Sequence, residues 1–494
     1  MKLETVMGLE VHAELSTRSK IFCACRTDFG NEPNTQVCPV CSGMPGTLPK
    51  LNRIVVEYAI LAGLALNCEI TKNCKFDRKN YFYPDLPKAY QVSQLYAPIC
   101  RDGYLEIDDG KKIGIREIHM EEDAGKLIHD LRSGKTFMDF NRCGVPLLEI
   151  VSQPDLRSSS EVINYLEKLR ETLLYLGICD CKMQEGSLRV DVNLSLRKPD
   201  GNLGVRTEMK NLNSFKAIGR AIEYETKRQI KILENGGQIV QETRRWEDEK
   251  GESYGMRSKE NAQDYRYFPE PDLLPIRVND SWLESIRASI PELAEQKRGR
   301  YMCDYGLSEF TAGVLTGHKN ISALFEDVCK LCNEPLESAN LISGTVMYLM
   351  GKSNTTPDEL FLDARKLAFL ISLVSKGKIN RNAYKETVEA VFTDNVEPSE
   401  YIAKNGLLMV SDDNAVAEAI DVVMKDNQSA AEDFHSGKNK AFGFLMGQVM
   451  KRLGGAGNPE LVKKRLEEEL AKNSKISEAN TSGGSAPKSR LCKQ

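Results

Sequence analysis

Between residues 188 and 197 the chain alternates without a break. Leu188, Val190, Val192, Leu194 and Leu196 fall on one side of an extended chain, and Arg189, Asp191, Asn193, Ser195 and Arg197 on the other. That period of two predicts a strand with one buried and one polar face. On either side the period changes. Val162, Leu166, Leu169, Leu173 and Leu176 recur at helical spacing, serines 158–160 offer a cap and Gly177 a stop, which predicts a helix over Ser160 to Leu176. A second helix is predicted after Ser214, carrying Ala217, Ile218, Ala221, Ile222 and Tyr224 and ending at Asn235-Gly236-Gly237. Strands with intercalated helices, rather than regular βαβ units, predict an α+β N-terminal domain on a mixed or antiparallel sheet. Prolines cluster between Pro269 and Pro291, and beyond them the pattern is helical almost to the end. The expected division is a sheet domain at 1–292, a helical domain at 293–402 and a helical tail domain at 403–473. Residues 474–494, poor in aliphatics, are expected to be disordered.

Three segments break the apolar rule. In Gly8-Leu9-Glu10-Val11-His12-Ala13-Glu14-Leu15, period two puts Glu10, His12 and Glu14 on one side of a strand, either as a solvated face or as half of a metal shell. His119-Met120-Glu121-Glu122-Asp123 is a dense acidic cluster before Gly125, and strand parity does not choose between Glu121 and Glu122 as a ligand. Val145 to Val151 holds a single carboxylate, Glu149, in an otherwise apolar strand, which is costly unless that group is paired or coordinated. Oxygen-rich shells of this kind suit Mg²⁺.

Composition narrows the field. The chain has 494 residues, 41% apolar and 28% charged, with a net charge of −4, so any basic surface must be local. Glu4 and Glu10 interrupt the opening residues, and the longest apolar run, Tyr58 to Leu66, is about half a membrane span. A cytoplasmic protein with no membrane partner is expected. Of its 14 cysteines, Cys23, Cys25, Cys38 and Cys41 form C-x-C and C-x-x-C pairs beside Pro39, Gly43, Pro45 and Gly46. Two turn-borne pairs suit one tetrahedral, structural Zn²⁺. Cys179-x-Cys181 and Cys329-x-x-Cys332 are read as incidental.

No familiar phosphate loop is present. Ser133-Gly134-Lys135-Thr136 imitates the end of one, but His129 stands where the first glycine belongs. Phosphate work would fall to scattered groups: Lys79, Lys88, Arg189, Lys210, Asn211, Asn213, Arg244, Arg245 and Arg266.

These stretches also carry a resemblance. GLEVHAEL, KFDRKNYFYPDLPKAYQVSQ (75–94), HMEEDAGK, GVPLLEIV, KMQEGSLRVDVNLSLR, EMKNLNSF, QETRRW and DYRYFPEPDLLP together resemble the GatB family, the B subunits of the bacterial aspartyl/glutamyl-tRNA amidotransferases. Residues 437–470 are similar to that family's tRNA-binding tail. The resemblance implies a cradle-shaped N-terminal domain that uses ATP to phosphorylate the side-chain carboxylate of Glu on tRNA(Gln) or Asp on tRNA(Asn), before ammonia displaces the phosphate. The class is a glutamine-dependent carbon–nitrogen ligase. The resemblance places Mg²⁺ near Glu10, His12, Glu122 and Glu149, and since histidine is a somewhat soft ligand for Mg²⁺, Mn²⁺ should be tolerated. It gives Lys79 and Arg189 catalytic roles, and matches the cysteine set to a zinc site found in some members. It also implies two protein partners, an amidase (glutaminase) that supplies ammonia and a small third component of the amidotransferase. No glutaminase set is visible here, Gly483-Gly484-Ser485 lying in the tail.

Departures from the family pattern are Gln153, Gln184, Val190-Asp191-Val192-Asn193 and Leu341-Ile342-Ser343-Gly344, none at a proposed ligand. Lys438, Lys440, Lys451, Arg452, Lys463, Lys464 and Arg465 are the candidate tRNA contacts, against the alternative of solvated helix charges paired with Glu467 to Glu469. Two other readings stay open: a catalytically silent, zinc-bearing tRNA-binding scaffold of the same complex, and a stand-alone ligase.

Overall fold

The computed structural model describes residues 3–130, 132–199, 201–258, 265–409, 413–435, 438, 440–454 and 457–481. The chain divides into a first unit, Met1–Lys297, and a second, Arg298–Gln494.

The first unit is α+β. Its main sheet has nine strands: β1 (Glu4–Glu14), β2 (Glu69–Ile70), β3 (Cys100–Glu106), β4 (Lys112–Glu122), β5 (Pro146–Ser152), β6 (Leu188–Arg197), β7 (Thr207–Lys210), β8 (Glu242–Glu247) and β9 (Glu252–Ser258). Their order is β9-β8-β7-β6-β1-β5-β4-β3-β2, and every neighbouring pair is antiparallel except β7 and β8. The sheet is therefore mixed, with β1 in its interior. Helices α1 (Arg53–Ala65), α2 (Ser159–Leu176) and α3 (Phe215–Glu234) share one apolar core with the side chains of Leu9, Val11, Ile118, Leu148, Ile150, Val190 and Val192.

The two predicted helices form because their ends are satisfied locally. Ser158 Oγ accepts from the Glu161 N–H, and Gly177 closes α2 in the left-handed region at φ 69°. Ser214 Oγ accepts from the Ala217 N–H at the start of α3. Since one sheet face is filled by helices, the alternation of each strand leaves its polar residues on the other. Register then sets them side by side: His12 lies opposite Glu149 on β5 and Arg189 on β6, and Glu149 lies opposite His119 on β4. The result is a row, Arg189–His12–Glu149–His119, across four adjacent strands. Beside it, Glu10 faces Asp191. A separate three-stranded sheet, Tyr90–Ser93 and Phe268–Pro269 flanking Asp77–Asn80, supplies side chains to the end of β4.

A buried ionic knot ties α3 to the edge of the sheet. Glu225 has no exposed side-chain surface and accepts from Thr207 (2.8 Å), Gln229 (2.9 Å) and Arg228 (2.8 Å), with Arg244 Nε 3.5 Å away. Burial works against its charge, yet these donors hold its carboxyl below the usual range.

The second unit is helical and holds two apolar cores, one from Tyr301 to Ile402 and one from Val416 to Leu470. Leu407 also packs against the first. The last helix, Pro459–Thr481, is anchored by the buried Val462, Leu466 and Leu470 in its first half. Residues 482–494, with Gly483-Gly484-Ser485, lie outside the described residues. No described helix is long and apolar enough to cross a membrane.

Both tryptophans, Trp246 and Trp282, belong to the first unit, so their fluorescence reports its unfolding. Glu225→Gln should destabilise that unit by about 3 kcal/mol at pH 7, since Arg228 and Arg244 lose a buried partner. The native carboxyl titrates below the unfolded one, so its contribution is complete above the unfolded value and is lost as pH falls through the native value. In urea unfolding, the gap between wild type and variant should therefore shrink below about pH 4.5.

Candidate functional site

On the polar face, His12, Glu121 and Glu149 each offer a ligand atom, all within 4.8 Å of one another. His12 Nε2 stands 3.9 Å from Glu121 Oε2 and 3.7 Å from Glu149 Oε2. Glu121 is aimed by the small sheet: Ser93 Oγ donates to one oxygen at 2.6 Å and Gln91 Nε2 to the other at 3.1 Å. Burial opposes the charge on Glu149, but His119, His12 and Lys79 hold its carboxyl well below the usual range.

A second triad adjoins it. Glu10, Asp191 and Glu208 also bring one oxygen each within 4.8 Å. Burial first, then Glu149, Glu208 and Asp191, push Glu10 upward. Lys210 is the local counter-charge, pairing with Asp191 and lying 2.9 Å from Glu208. Lys79 approaches the first triad from the small sheet. Its ammonium sits 6.0 Å from the Tyr81 ring centre and 5.2 Å from that of Tyr265. Burial works against its proton, but Glu121, Tyr267 and Glu149 raise its pKa on balance. At the other end of the row, Arg189 donates to Asp123 at 2.6 Å, with Arg142 3.4 Å from the same oxygen. Glu14, beside them, is pushed up to about 8 by burial and by Asp123.

The four cysteines converge as their spacing predicts. All four sulfurs lie within 4.8 Å of one another, with Cys41 Sγ 3.9 Å from Cys38 and 4.0 Å from Cys25. A tetrahedral ion with ~2.3 Å metal–sulfur bonds needs sulfurs only a little closer, ~3.8 Å apart. Gly43 closes this module at φ 69°, and a Cβ there would meet Lys88 Cγ at 2.6 Å.

The chemistry-bearing face lies within residues 5–284, the stretch matched by the family model described as GatB/GatE catalytic domain. A second model, described as GatB domain, matches residues 323–470. The chain is 58% identical over 473 residues to the B subunit of the aspartyl/glutamyl-tRNA(Asn/Gln) amidotransferase of Lachnoclostridium phytofermentans, covering 95% of this chain and 99% of that one. The chain belongs to the GatB/GatE family. The same-named proteins of Caldicellulosiruptor bescii and Thermoanaerobacter pseudethanolicus are 54% and 52% identical, each across 96% of this chain and 100% of theirs.

Within this GatB/GatE catalytic domain, several residues sit elsewhere than the sequence suggested. Glu121, not Glu122, joins His12 and Glu149. Glu122 points away, pairs with Lys88 and accepts from the Val92 N–H at 2.9 Å. Lys88, its ammonium between the rings of Phe22 and Tyr90, is thereby drawn toward the cysteine module and off the polar face. Arg244 belongs to the Glu225 knot and donates to Glu242 and Ser253. Asn211, at φ 67°, donates to the Trp246 carbonyl at 2.9 Å and serves the sheet edge. Arg245, Arg266 and Asn213 are exposed, and the Arg266 carbonyl accepts from Asn80 at 2.7 Å. Asp191, Glu208 and His119 are site residues that the sequence pattern does not single out. Asp191 is visible in the alternating strand, but Glu208 reaches the site only through the pairing of β6 with β7.

The donor geometry makes a direct prediction. A divalent ion present at a hundredfold excess over its dissociation constant should stabilise the first unit by about 2.7 kcal/mol. With Mn²⁺ and tryptophan fluorescence, Glu121→Gln should lose most of that gain. Glu122→Gln, though less stable for want of the Lys88 pair, should keep it. Equal loss in both would reinstate Glu122 as a ligand.

Proposed function

We propose that the polar face activates the side-chain carboxylate of glutamate or aspartate carried on a non-cognate tRNA, and that the activated acyl group is converted there to the amide. The observation that carries this reading is the pair of adjoining triads, His12–Glu121–Glu149 and Glu10–Asp191–Glu208, held on one rigid sheet. The relatives' shared name, as B subunits of an aspartyl/glutamyl-tRNA(Asn/Gln) amidotransferase, supports it.

The donor set fits hard divalent cations. Carboxylate oxygens with one imidazole nitrogen suit Mg²⁺ and tolerate Mn²⁺, and the crowding of like charge, only partly relieved by Lys79 and Lys210, favours a cation's entry. When bound, ATP with Mg²⁺ supplies the phosphoryl group and the charge that disperses it. The chain does the rest by placement. Lys79, walled by Tyr81 and Tyr265, fixes a positive charge over the Glu121–Glu149 end. His12, Glu149 and Glu121 hold their oxygens and nitrogen in place without reorganisation. Arg189, with Asp123, frames the row's other end, and exposed Arg245, Arg266 and Asn213 are the remaining candidates for phosphate contact. The chemical logic is that ammonia attacking a free carboxylate would have to expel oxide, whereas attack on an acyl phosphate breaks the C–O bond and releases phosphate.

Ammonia comes, in this reading, from the amidase partner, with the small third component completing a cytoplasmic complex. Exposed Lys440, Lys451, Arg452, Lys463 and Lys464 supply phosphate contacts for the tRNA. Lys438 and Arg465 do so less readily, because they are paired with Asp433 and with Asp413 and Glu468. The cysteine module takes zinc as a closed structural ion, four thiolates leaving no open position.

Two measurements test this. Incubated with both protein partners, γ-labelled ATP, Mg²⁺ and Glu-tRNA(Gln), the chain should release phosphate only when the charged tRNA is present, and Glu149→Gln should abolish release. No release from wild type, with tRNA binding intact, would leave a silent scaffold. Activity from the lone chain with glutamine would favour a stand-alone ligase. Separately, metal analysis should find zinc in wild type and none in Cys38→Ser/Cys41→Ser, which should melt lower but keep its Mn²⁺ response. Wild type without zinc would refute the metal assignment.

A further inference from the structure

His119 stands outside both triads, yet it occupies a constrained position. In register it is Glu149's neighbour on β4, as His12 is on β1, so the carboxylate lies between two imidazoles on three adjacent strands. The two rings differ. His12 Nε2 belongs to the group of ligand atoms that lie within 4.8 Å of one another, and His119 does not. His119 Nδ1 instead lies 3.0 Å from the main-chain oxygen of Gln94. A carbonyl can only accept, so Nδ1 carries a proton, and the ring's orientation is set by the backbone. Gln94 is itself fully buried, and its side-chain oxygen accepts from the Met120 N–H at 3.1 Å, so two adjacent residues of β4 are anchored on it. With Nδ1 committed, Nε2 is turned toward Glu149. It is shut off from solvent and makes no aligned hydrogen bond, and Glu149 Oε2 lies 3.1 Å away, at ion-pair distance for a ring protonated at both nitrogens. The His119 side chain is only 12% exposed.

We propose that His119 is a positioning residue, which holds Glu149 in the orientation needed to bind a divalent cation and is itself oriented by the Gln94 carbonyl. This rests on the divalent-cation reading above and deepens it. The arrangement carbonyl–imidazole–carboxylate places a rigid ring behind a flexible acid. Without it, Glu149 keeps His12 and Lys79 as neighbours but loses the ring that backs it on β4, and that lost restraint weakens binding at the triad. Groups that orient a ligand in this way typically change metal affinity by about 10–100-fold when removed.

The test is Mn²⁺ binding to the full chain, followed by the electron paramagnetic resonance signal of the free ion, on wild type, Glu149→Gln, His119→Phe and His119→Gln. His119→Phe keeps the ring's shape and loses both nitrogens, and should weaken Mn²⁺ binding by about 10–100-fold. His119→Gln restores an N–H donor toward Glu149 and should recover most of that loss. Melting of the metal-free proteins separates a folding defect from a positioning one: the rescue should appear in affinity at matched melting temperature. Binding by His119→Phe equal to wild type, while Glu149→Gln binds poorly, overturns the proposal and leaves the triad reading intact. Equal weakening in His119→Phe and His119→Gln, tracking a fall in melting temperature, also overturns it by reducing His119 to packing. Wild type and Glu149→Gln binding alike would overturn the triad reading and this proposal together.

Discussion

Repulsion among carboxylates is the force that the first unit is arranged to contain. Glu10, Glu14, Glu121, Glu149, Asp191 and Glu208 project from one sheet face; burial first, and then neighbouring carboxylates, raise Glu10 (through Glu149, Glu208 and Asp191) and Glu14 (through Asp123). They cannot escape to the other face. Alternation fixes each side chain's direction, and a one-residue slip would drive Val11, Ile150 and Val190 out of the core that binds α1, α2 and α3. The energy of apolar packing on one side thus enforces an unfavourable concentration of charge on the other. Lys79, Lys210 and Arg189 relieve part of it from the flanks.

What is legible in the sequence is what depends on near neighbours. The helix after Ser158, the helix after Ser214 and the strand Leu188–Arg197 declare themselves through periodicity and caps within a few residues. The cysteine set is legible because two turns suffice to gather it. Glu10, His12 and Glu149 are legible as polar residues on their strands, although only pairing shows that they meet.

The rest depends on segments far apart in the chain. Glu121 is chosen over Glu122 by Gln91 and Ser93, which reach β4 from a different sheet. Lys88 looks free because neither Phe22 nor Glu122 is near it in sequence. Arg244 and Arg245 are adjacent and chemically alike, yet one is consumed by Glu225 across the sheet edge while the other is exposed. Glu208 requires knowledge that β7 pairs with β6, a contact no local pattern announces. Parity narrows such choices by half, and tertiary partners make the rest.

The central place of β1 carries a consequence for how the molecule is made. It is synthesised before both strands it lies between, β5 and β6, so it has no ladder partner until Pro146–Ser152 and then Leu188–Arg197 have followed. Closing loops of that length is entropically slow, and a strand with unpaired edges on both sides is exposed to misassociation in the interval. Its two glutamates and one histidine, Glu10, His12 and Glu14, then double as a solubilising strip on a nascent chain. The same side chains that later crowd together keep this edge hydrated while it waits.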